Sequence, residues 1–268
     1  MLALMRPQGS TTPGSWAATR SDPRIRPLHD LVRLLGGDAA SLAPADERLP
    51  VALRRLDEDA ALVHEGAPLH SLHIVRCGSL KCVRALEDGY QQVTAFALPG
   101  DVIGFDGLHR GQHIATAVAL ETSTVYALPL AGLQALRQRC PVLDDALQLA
   151  LSRQLASAAA TAEMLAAVAS EVRLARFILW MAARMTALGW SPRQLRLRMC
   201  RRDIASLLGV AHETVSRSFT TMADAGLLKV ENRDVEILDL QRLQARARAT
   251  RSLADGRPPG AHPVALAA

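Results

Sequence analysis

The chain lacks the features that mark membrane, secreted and catalytic proteins. Its 268 residues contain no apolar run of about eighteen residues, the length that a membrane-spanning helix requires. The N-terminus lacks the basic-then-apolar layout of a signal peptide. No nucleophile–base motif, phosphate-binding loop or HExxH zinc motif is present. We therefore expect a cytoplasmic protein that makes no membrane contact and is not an enzyme.

Cysteine is scarce as well. Residues 1–76 contain none, and the four that follow show no CxxC spacing: Cys77, Cys82, Cys140 and Cys200. Structural disulfides are rare in the cytosol, so buried and unpaired roles are the default expectation. Cys77 and Cys82 flank a tight turn at residues 78–80. A redox pair is therefore a second interpretation beside that of two small apolar residues in a sheet.

Positive charge is distributed unevenly along a chain whose net charge is +5. Residues 171–268 hold 16 of the 31 Lys and Arg residues but only 9 of the 26 Asp and Glu residues. Binding to DNA phosphates requires such a surplus of positive charge. The distribution favours a nucleic-acid-binding C-terminal half, although a generic basic surface of an arginine-rich protein would look similar.

Residues 201–230 have the pattern of a helix-turn-helix. A short helix is predicted over residues 203–208, and Gly209 supplies the turn because glycine adopts a positive φ without steric cost. A second helix is predicted over residues 212–225, closed by Gly226. We interpret this segment as a DNA-binding unit.

The second helix of this unit has two distinct faces. Its apolar residues lie at i, i+4 and i+7: Val215, Phe219 and Met222. The opposite face carries groups that can read base edges: Glu213, Ser216, Arg217 and Thr220. A Glu213–Arg217 ion pair on a solvated helix, worth about 0.2–0.5 kcal/mol, is the simpler alternative. A hairpin predicted over residues 230–238, turning at 232–234, favours a winged helix-turn-helix instead.

These motifs resemble the CRP/FNR family of bacterial transcription regulators, and the likeness extends over residues from about 50 to 240. The family's recognition helix carries E-T-V/I-S/G-R, which is present here as Glu213-Thr214-Val215-Ser216-Arg217. The serine form is typical of the FNR branch. Three further segments resemble that branch: LPGDVIGFDGL (98–108), ALETSTVYALP (119–129) and GWSPRQLRLRMCRRDIASLLG (189–209).

The resemblance implies an α+β chain that begins with a cyclic-nucleotide-binding-type β jelly roll. Glycine-punctuated short strands over residues 53–132 agree with that fold. The expected order is a disordered arm (1–27), a jelly-roll sensor domain with a helical lead-in (28–140), a long dimerisation helix (141–170), a C-terminal winged helix-turn-helix (171–245) and a disordered tail (246–268).

The expected dimerisation helix is rich in alanine and carries a seam spaced by three, four or seven residues: Leu147, Leu151, Gln154, Ala158, Leu165 and Val168. The seam could pack on its own barrel. We favour a homodimer because the helix is too long to be covered by one small domain. A two-fold dimer would present two recognition helices to half-sites one DNA turn apart.

The resemblance also implies how DNA is contacted. The half-site would be of the TTGAT type in an inverted repeat, with Arg217 at the guanine and Glu213 and Ser216 at neighbouring bases. Phosphate or secondary contacts are expected from the remaining polar residues of the unit: Arg201, Arg202, His212, Thr214 and Thr220. Activation through RNA polymerase, touched from barrel loops, is the first expectation, and repression by site occlusion stays open.

Departures from the family concern its cofactors. Oxygen-sensing members hold an iron–sulfur cluster through three N-terminal cysteines and a fourth inside the barrel. The matching barrel position here is Tyr126, and residues 1–76 lack cysteine, so we expect no cluster. Nucleotide-binding members grip the phosphate of cyclic AMP with an Arg-Ser pair, where this chain has apolar Ile114 and Ala115. We expect neither cyclic AMP nor a metal.

Haem stays open as a cofactor. Five histidines in the barrel segment are possible axial ligands: His64, His70, His73, His109 and His113. A haem- or thiol-based gas or redox sensor of the same fold is therefore one alternative. A ligand-binding barrel that does not bind DNA is another.

Overall fold

The structure, a computed structural model, describes residues 27–42 and 51–248. The predicted arm and tail lie almost entirely outside the described residues. At the C-terminal boundary, the last helix, Leu240–Arg248, continues beyond the predicted domain end at residue 245. It does so because Leu243 and Ala247 are both buried, so the apolar face of the helix extends past that point.

The N-terminal half is a jelly roll of two antiparallel sheets, each with four strands in the described residues. The first sheet has the order β1 (Ala52–Leu56), β8 (Ser123–Pro129), β3 (Ser71–Cys77) and β6 (Val102–Ile103). The second has the order β2 (Ala61–Val63), β7 (Thr116–Ala119), β4 (Leu80–Ala85) and β5 (Gln91–Ala97). Strand β5 therefore lies at an edge of the second sheet.

The jelly roll has apolar packing on both faces of its first sheet. Val75, Leu80 and Val125 pack between the two sheets. Leu72 and Ile74, the alternate residues of β3, pack outward against the helix α1 (Pro27–Leu34) and the long helix that follows the barrel. The N-terminal helical lead-in thus belongs to the same core as the barrel.

The long helix differs in its end from the prediction. Helix α2 (Leu133–Arg139) precedes it, and α3 (Pro141–Leu165) starts with proline in its first turn, where no backbone N–H is needed. Helix α3 ends at Leu165, and α4 (Ser170–Ala187) follows. Arg173 Nε donates to the carbonyl of Ala167 (2.7 Å) and closes the turn between them. Val168, which was predicted on the seam, therefore lies in this turn.

The C-terminal half is the predicted winged helix-turn-helix. Its elements are α4, β9 (Gln194–Arg196), α5 (Arg201–Leu208), α6 (His212–Asp224), β10 (Leu228–Glu231), β11 (Asp234–Ile237) and α7 (Leu240–Arg248). Gly209 has φ +62° between α5 and α6, and Asn232 has φ +57° in the two-residue hairpin turn. Strand β9, which the sequence did not predict, pairs with β11 and widens the wing to three strands.

The architecture confirms the predicted fold class. An N-terminal jelly roll is followed by a long helix and a C-terminal winged helix-turn-helix. None of the helices in the described ranges is both long and apolar enough to cross a membrane.

Candidate nucleic-acid interface

Helix α6 buries the face that the periodicity predicts and exposes the other. Val215, Phe219 and Met222 are buried in the core of the C-terminal half. Glu213, Ser216 and Arg217 are exposed, as are His212 and Thr220, while Thr214 is half-buried. The structure therefore brings the predicted base-reading residues together on one solvent-facing surface.

Hydrogen bonds within α6 orient part of this surface. Ser216 Oγ donates to the carbonyl of His212 (3.1 Å), and Thr220 Oγ1 donates to the carbonyl of Ser216 (3.2 Å). Glu213 Oε1 lies 3.2 Å from Nδ1 of His212. Arg217 makes no hydrogen bond or ion pair with any residue in 27–42 or 51–248. Its guanidinium is therefore available, and the i,i+4 pair with Glu213 is not formed.

Arg201 is half-buried against the domain rather than fully exposed. Its guanidinium carbon is 3.5 Å from the ring centroid of Phe219, and Nη2 donates to the carbonyl of Asn232 in the wing turn (3.0 Å). Burial lowers the pKa of Arg201 below its ordinary value, although a guanidinium stays charged at neutral pH. Arg201 joins α5, α6 and the wing, whereas the neighbouring Arg202 is exposed.

Comparison with known proteins gives a consistent result. A Crp-like helix-turn-helix domain model matches residues 172–246, and a cyclic nucleotide-binding domain model matches residues 53–140. The chain is 35% identical over 190 residues to the transcriptional regulatory protein btr of Bordetella pertussis, covering 71% of this chain and 78% of that protein. It belongs to the CRP/FNR family of DNA-binding transcription regulators.

Two further relatives support this assignment to the CRP/FNR family. The transcriptional activator protein anr of Pseudomonas aeruginosa is 35% identical over 194 residues, covering 72% of this chain and 80% of that protein. The solved structure of FixK2 from Bradyrhizobium japonicum superposes with a TM-score of 0.66 at 26% identity, covering 76% of this chain and all of that one. The relatives btr and anr are transcription regulators and not enzymes, as the sequence predicts.

The sensor domain of this CRP/FNR chain has a cavity of about 100 Å³ beneath strand β5. Its walls include Asp106, Ile114 and Ala115. Arg184 also lines the cavity, but its guanidinium pairs with Asp101. The cavity thus offers acidic and apolar walls where a phosphodiester needs unpaired cations, and it is smaller than the roughly 300–1,000 Å³ of common ligand pockets.

Tyr126 has a structural task in the barrel. Its Oη donates to Asp30 Oδ2 on α1 (2.6 Å), and Arg76 Nε lies 2.9 Å from the same carboxylate oxygen and 3.0 Å from the hydroxyl. Burial raises the pKa of Tyr126, and its hydrogen bond to Asp30 raises it further. Burial alone would raise the pKa of Asp30, but the hydrogen bonds from Tyr126 and Arg76 outweigh it and hold the pKa below its ordinary value.

The five histidines of the barrel segment fall into two groups that differ in burial. His64, His70 and His109 are exposed, whereas His73 and His113 are buried with ring centroids 6.1 Å apart. Burial lowers the pKa of His73 to about 4, with further lowering from Arg54 and His113. The buried Nδ1 of His73 has no hydrogen-bond partner among the residues that the structure describes.

The cysteines are dispersed over the fold. Cys77 is exposed at the end of β3, Cys140 is buried between α2 and α3, and Cys200 is exposed at the start of α5. The Cys82 thiol lines the cavity, and burial raises its pKa to about 12, so it is protonated at neutral pH. Nowhere in residues 27–42 and 51–248 do three His, Cys, Asp or Glu side chains gather as a possible metal site.

Helix α3 carries an exposed apolar stripe that differs in part from the predicted seam. Leu151, Ala158 and Leu165 are exposed, Gln154 is half-buried, and the stripe includes Leu155, which the prediction missed and which is 66% exposed. Leu147 is only 6% exposed, because it packs against α1 and the barrel of its own chain. The i, i+4 spacing of Leu151 and Leu155 was the signal that could have identified the stripe.

Proposed function

We propose that this chain acts as a homodimer that binds a TTGAT-type inverted repeat and activates transcription without an iron–sulfur cluster. The observation that carries the proposal is the exposed guanidinium of Arg217 on α6, which is unpaired within the part of the chain that the structure describes. An arginine fork presented in the major groove donates to both O6 and N7 of guanine. Glu213 and Ser216 lie on the same face and would contact the neighbouring bases.

The homodimer is proposed from the apolar stripe on α3. Leu151, Leu155 and Leu165 are large apolar side chains that a water-exposed helix would not favour at this spacing. Alanines between them let two helices approach closely. A two-fold dimer through α3 would place two copies of α6 about one DNA turn apart, as an inverted repeat requires.

Activation is proposed because relatives such as anr of Pseudomonas aeruginosa are transcriptional activators. A bound activator raises transcription by contacting RNA polymerase, so RNA polymerase is the second proposed partner. Repression by occlusion of a promoter would need only the same DNA contacts.

We propose neither an iron–sulfur cluster nor a cyclic nucleotide as a cofactor, because the side chains at the corresponding positions are not suitable ligands. The segment before Arg76 contains no cysteine, and the Tyr126 hydroxyl is held by Asp30 and Arg76. A cubane cluster needs four thiolate-class ligands. The carboxylate of Asp106 and the small cavity disfavour a phosphodiester in the barrel.

The experiment that tests the proposal is substitution of the free arginine. Arg217→Ala should lower affinity for the inverted repeat by roughly 10- to 100-fold at physiological salt, since a bidentate base contact discriminates by about 1–3 kcal/mol. Arg139→Ala, an exposed arginine of α2, is the control and should bind like the wild type. Fluorescence anisotropy on specific and scrambled duplexes measures both. Unchanged affinity of Arg217→Ala would contradict the proposed reading of DNA.

A haem-based gas sensor of the same fold is the second candidate. The observation that favours it is the buried His73–His113 pair, a set of two imidazole ligands. The cavity of about 100 Å³ that His113 lines would have to open to admit a haem. A Soret band in freshly purified protein would support this candidate. A flat spectrum after reconstitution with haem would remove it.

A further inference from the structure

Helix α5 is buried at every residue from Asp203 to Leu208, although its sequence is amphipathic. Ile204, Leu207 and Leu208 face α6 and the core. Asp203 and Ser206, which lie one turn apart on the polar side, are 8% and 5% exposed. Polar side chains at such positions usually face water. Another element must therefore cover the polar side of α5.

That element is β5, the edge strand of the second barrel sheet. Because β5 is an edge strand, the Val93 N–H has no neighbouring strand to donate to. It donates instead to Ser206 Oγ (2.8 Å) in a buried contact. Ser206 Oγ in turn lies 3.4 Å from the carbonyl of Gln91, and the Gln92 side-chain amide donates to the carbonyl of Ser206. The first helix of the helix-turn-helix thus caps an open sheet edge of the sensor domain.

A charged pair on the neighbouring strand reinforces this contact. Lys81 Nζ of β4 lies 2.7 Å from Asp203 Oδ1, while Asp203 Oδ2 accepts the backbone N–H of Cys200 (3.1 Å). Burial alone would raise the pKa of Asp203, but the hydrogen bonds from Lys81 and Cys200 outweigh it and hold the pKa below its ordinary value. The carboxylate therefore caps α5 and ties it to the barrel at once.

Three further contacts join the same two halves. Arg184 of α4 donates to the carbonyl of Phe96 (3.0 Å) and pairs with Asp101. The rings of Phe96 and Phe177 lie 6.2 Å apart edge to face, in a core cluster that contains residues of both halves. The helix-turn-helix is therefore packed directly against the barrel of its own chain, and it is not joined to the barrel through a linker alone.

We propose that Lys81, Asp203 and Ser206 are positioning residues. They hold α6 in a fixed position in each protomer and thereby set the spacing between DNA half-sites that the homodimer prefers. This inference rests on the proposed function. Helix α3 is packed on the barrel through Leu143 and Ala146, so the α5–β5 contact fixes α6 relative to the dimer helix. Two copies of α6 are then held at one separation, while their base-reading faces stay unobstructed.

The test uses full-length Ser206→Ala and a series of inverted repeats whose central spacing varies by single base pairs. The wild type should prefer one spacing, and the variant should lose about tenfold of that preference, because the edge N–H of Val93 loses its partner. Affinity for a duplex with a single half-site should stay the same. Ser218→Ala is the matched control, since among the described residues its buried hydroxyl donates only to the carbonyl of Thr214 in its own helix (2.8 Å).

Lys81→Gln provides a second variant on the barrel side, which should weaken the same preference without touching the helix-turn-helix. An unchanged spacing preference in both folded variants overturns the inference. An equal loss on single and double half-sites also overturns it, because the defect would then lie within the DNA-binding unit.

Hydrogen–deuterium exchange separates this inference from the proposed function. Ser206→Ala should speed exchange in β5, while Ser218→Ala should not. If exchange responds but the wild type binds no inverted repeat specifically, the proposed function fails and the contact stands. If exchange in β5 does not respond, the contact itself is refuted.

Discussion

Three arginines of the helix-turn-helix differ in role because they differ in burial. Arg217 is exposed and unpaired within the described part of the chain, so it can meet a base. Arg202 is exposed on α5 and stays a predicted phosphate contact. Arg201 is packed between Phe219 and the wing turn. The sequence could not indicate this difference, because no local pattern distinguishes Arg201 from the adjacent Arg202.

Arg201→Ala should lower the free energy of unfolding by about 1–3 kcal/mol. The change removes a cation–π contact with Phe219 and a hydrogen bond to the carbonyl of Asn232, worth up to about 2 and 1.5 kcal/mol respectively. Urea denaturation followed by circular dichroism measures the loss. Arg202→Ala is the control and should stay within about 0.5 kcal/mol of the wild type. Equal stability of the two variants would place Arg201 at the surface.

His73 should make the protein less stable in mild acid. Its folded-state pKa is about 4, below the ordinary 6.5. As the pH falls from 6.5 towards 4, the unfolded chain binds the proton first, so stability is complete above 6.5 and declines through this window. The total loss is of the order of 3 kcal/mol.

The measurement compares wild type with His73→Gln by urea denaturation at about pH 7.5 and about pH 4.5. The variant should lose less stability than the wild type between the two values. Parallel losses in both proteins would mean that other groups cause the acid sensitivity. His113, whose pKa burial also lowers, is present in both proteins, so its own titration is common to the comparison.

At the scale of secondary-structure elements, helix α3 has two faces with different tasks. Leu147 faces the barrel and Leu155 faces solvent in the single chain. Leu155→Lys should convert the dimer to a monomer with little effect on folding, because the side chain is already 66% exposed. Analytical ultracentrifugation measures the association.

Leu147→Ala is the contrasting variant on the same helix. It should lower the free energy of unfolding by about 2–5 kcal/mol through the cavity that it leaves, while a dimer still forms at high protein concentration. If Leu155→Lys remains dimeric, the exposed stripe is not the dimer contact.

Local patterns predicted the elements well, and long-range packing escaped them. The 3.6-residue spacing of Val215, Phe219 and Met222 predicted α6, and Gly209 predicted the turn before it, since both signals are local. Strand β9 was missed because three residues, Gln194–Arg196, carry no clear alternation and form a strand only by pairing with β11.

The candidate site was predicted in its exposed part and missed in its support. The exposed positions of Glu213, Ser216 and Arg217 follow from helical geometry, whereas their base contacts are implied by the family resemblance and stay a prediction. The burial of Ser206 depends on a contact with Val93, which is far away in the chain, and no local pattern encodes it. Likewise, the sequence shows that Tyr126 occupies the position where oxygen-sensing members of the family have a cysteine. It does not show that the hydroxyl of Tyr126 contacts Asp30 and Arg76.

Across the described residues as a whole, the barrel and the winged helix-turn-helix pack against each other. Val83, Val93 and Phe96 of the barrel belong to the same apolar cluster as residues of α4, α5 and α6. A change in the barrel near β5 would therefore reach the helix-turn-helix through direct packing. This arrangement suits a regulator whose two reading helices must be held at a fixed separation.

We expect the wild-type protein to recognise a specific inverted repeat as a dimer, without a cluster or an added ligand. The most direct measurement is binding of protein purified in air to a TTGAT-type inverted repeat, beside a scrambled duplex at physiological salt. The affinity for the repeat should exceed the affinity for the scrambled duplex by about 10³-fold or more. Weak binding that is equal on both duplexes and falls steeply with salt would contradict it.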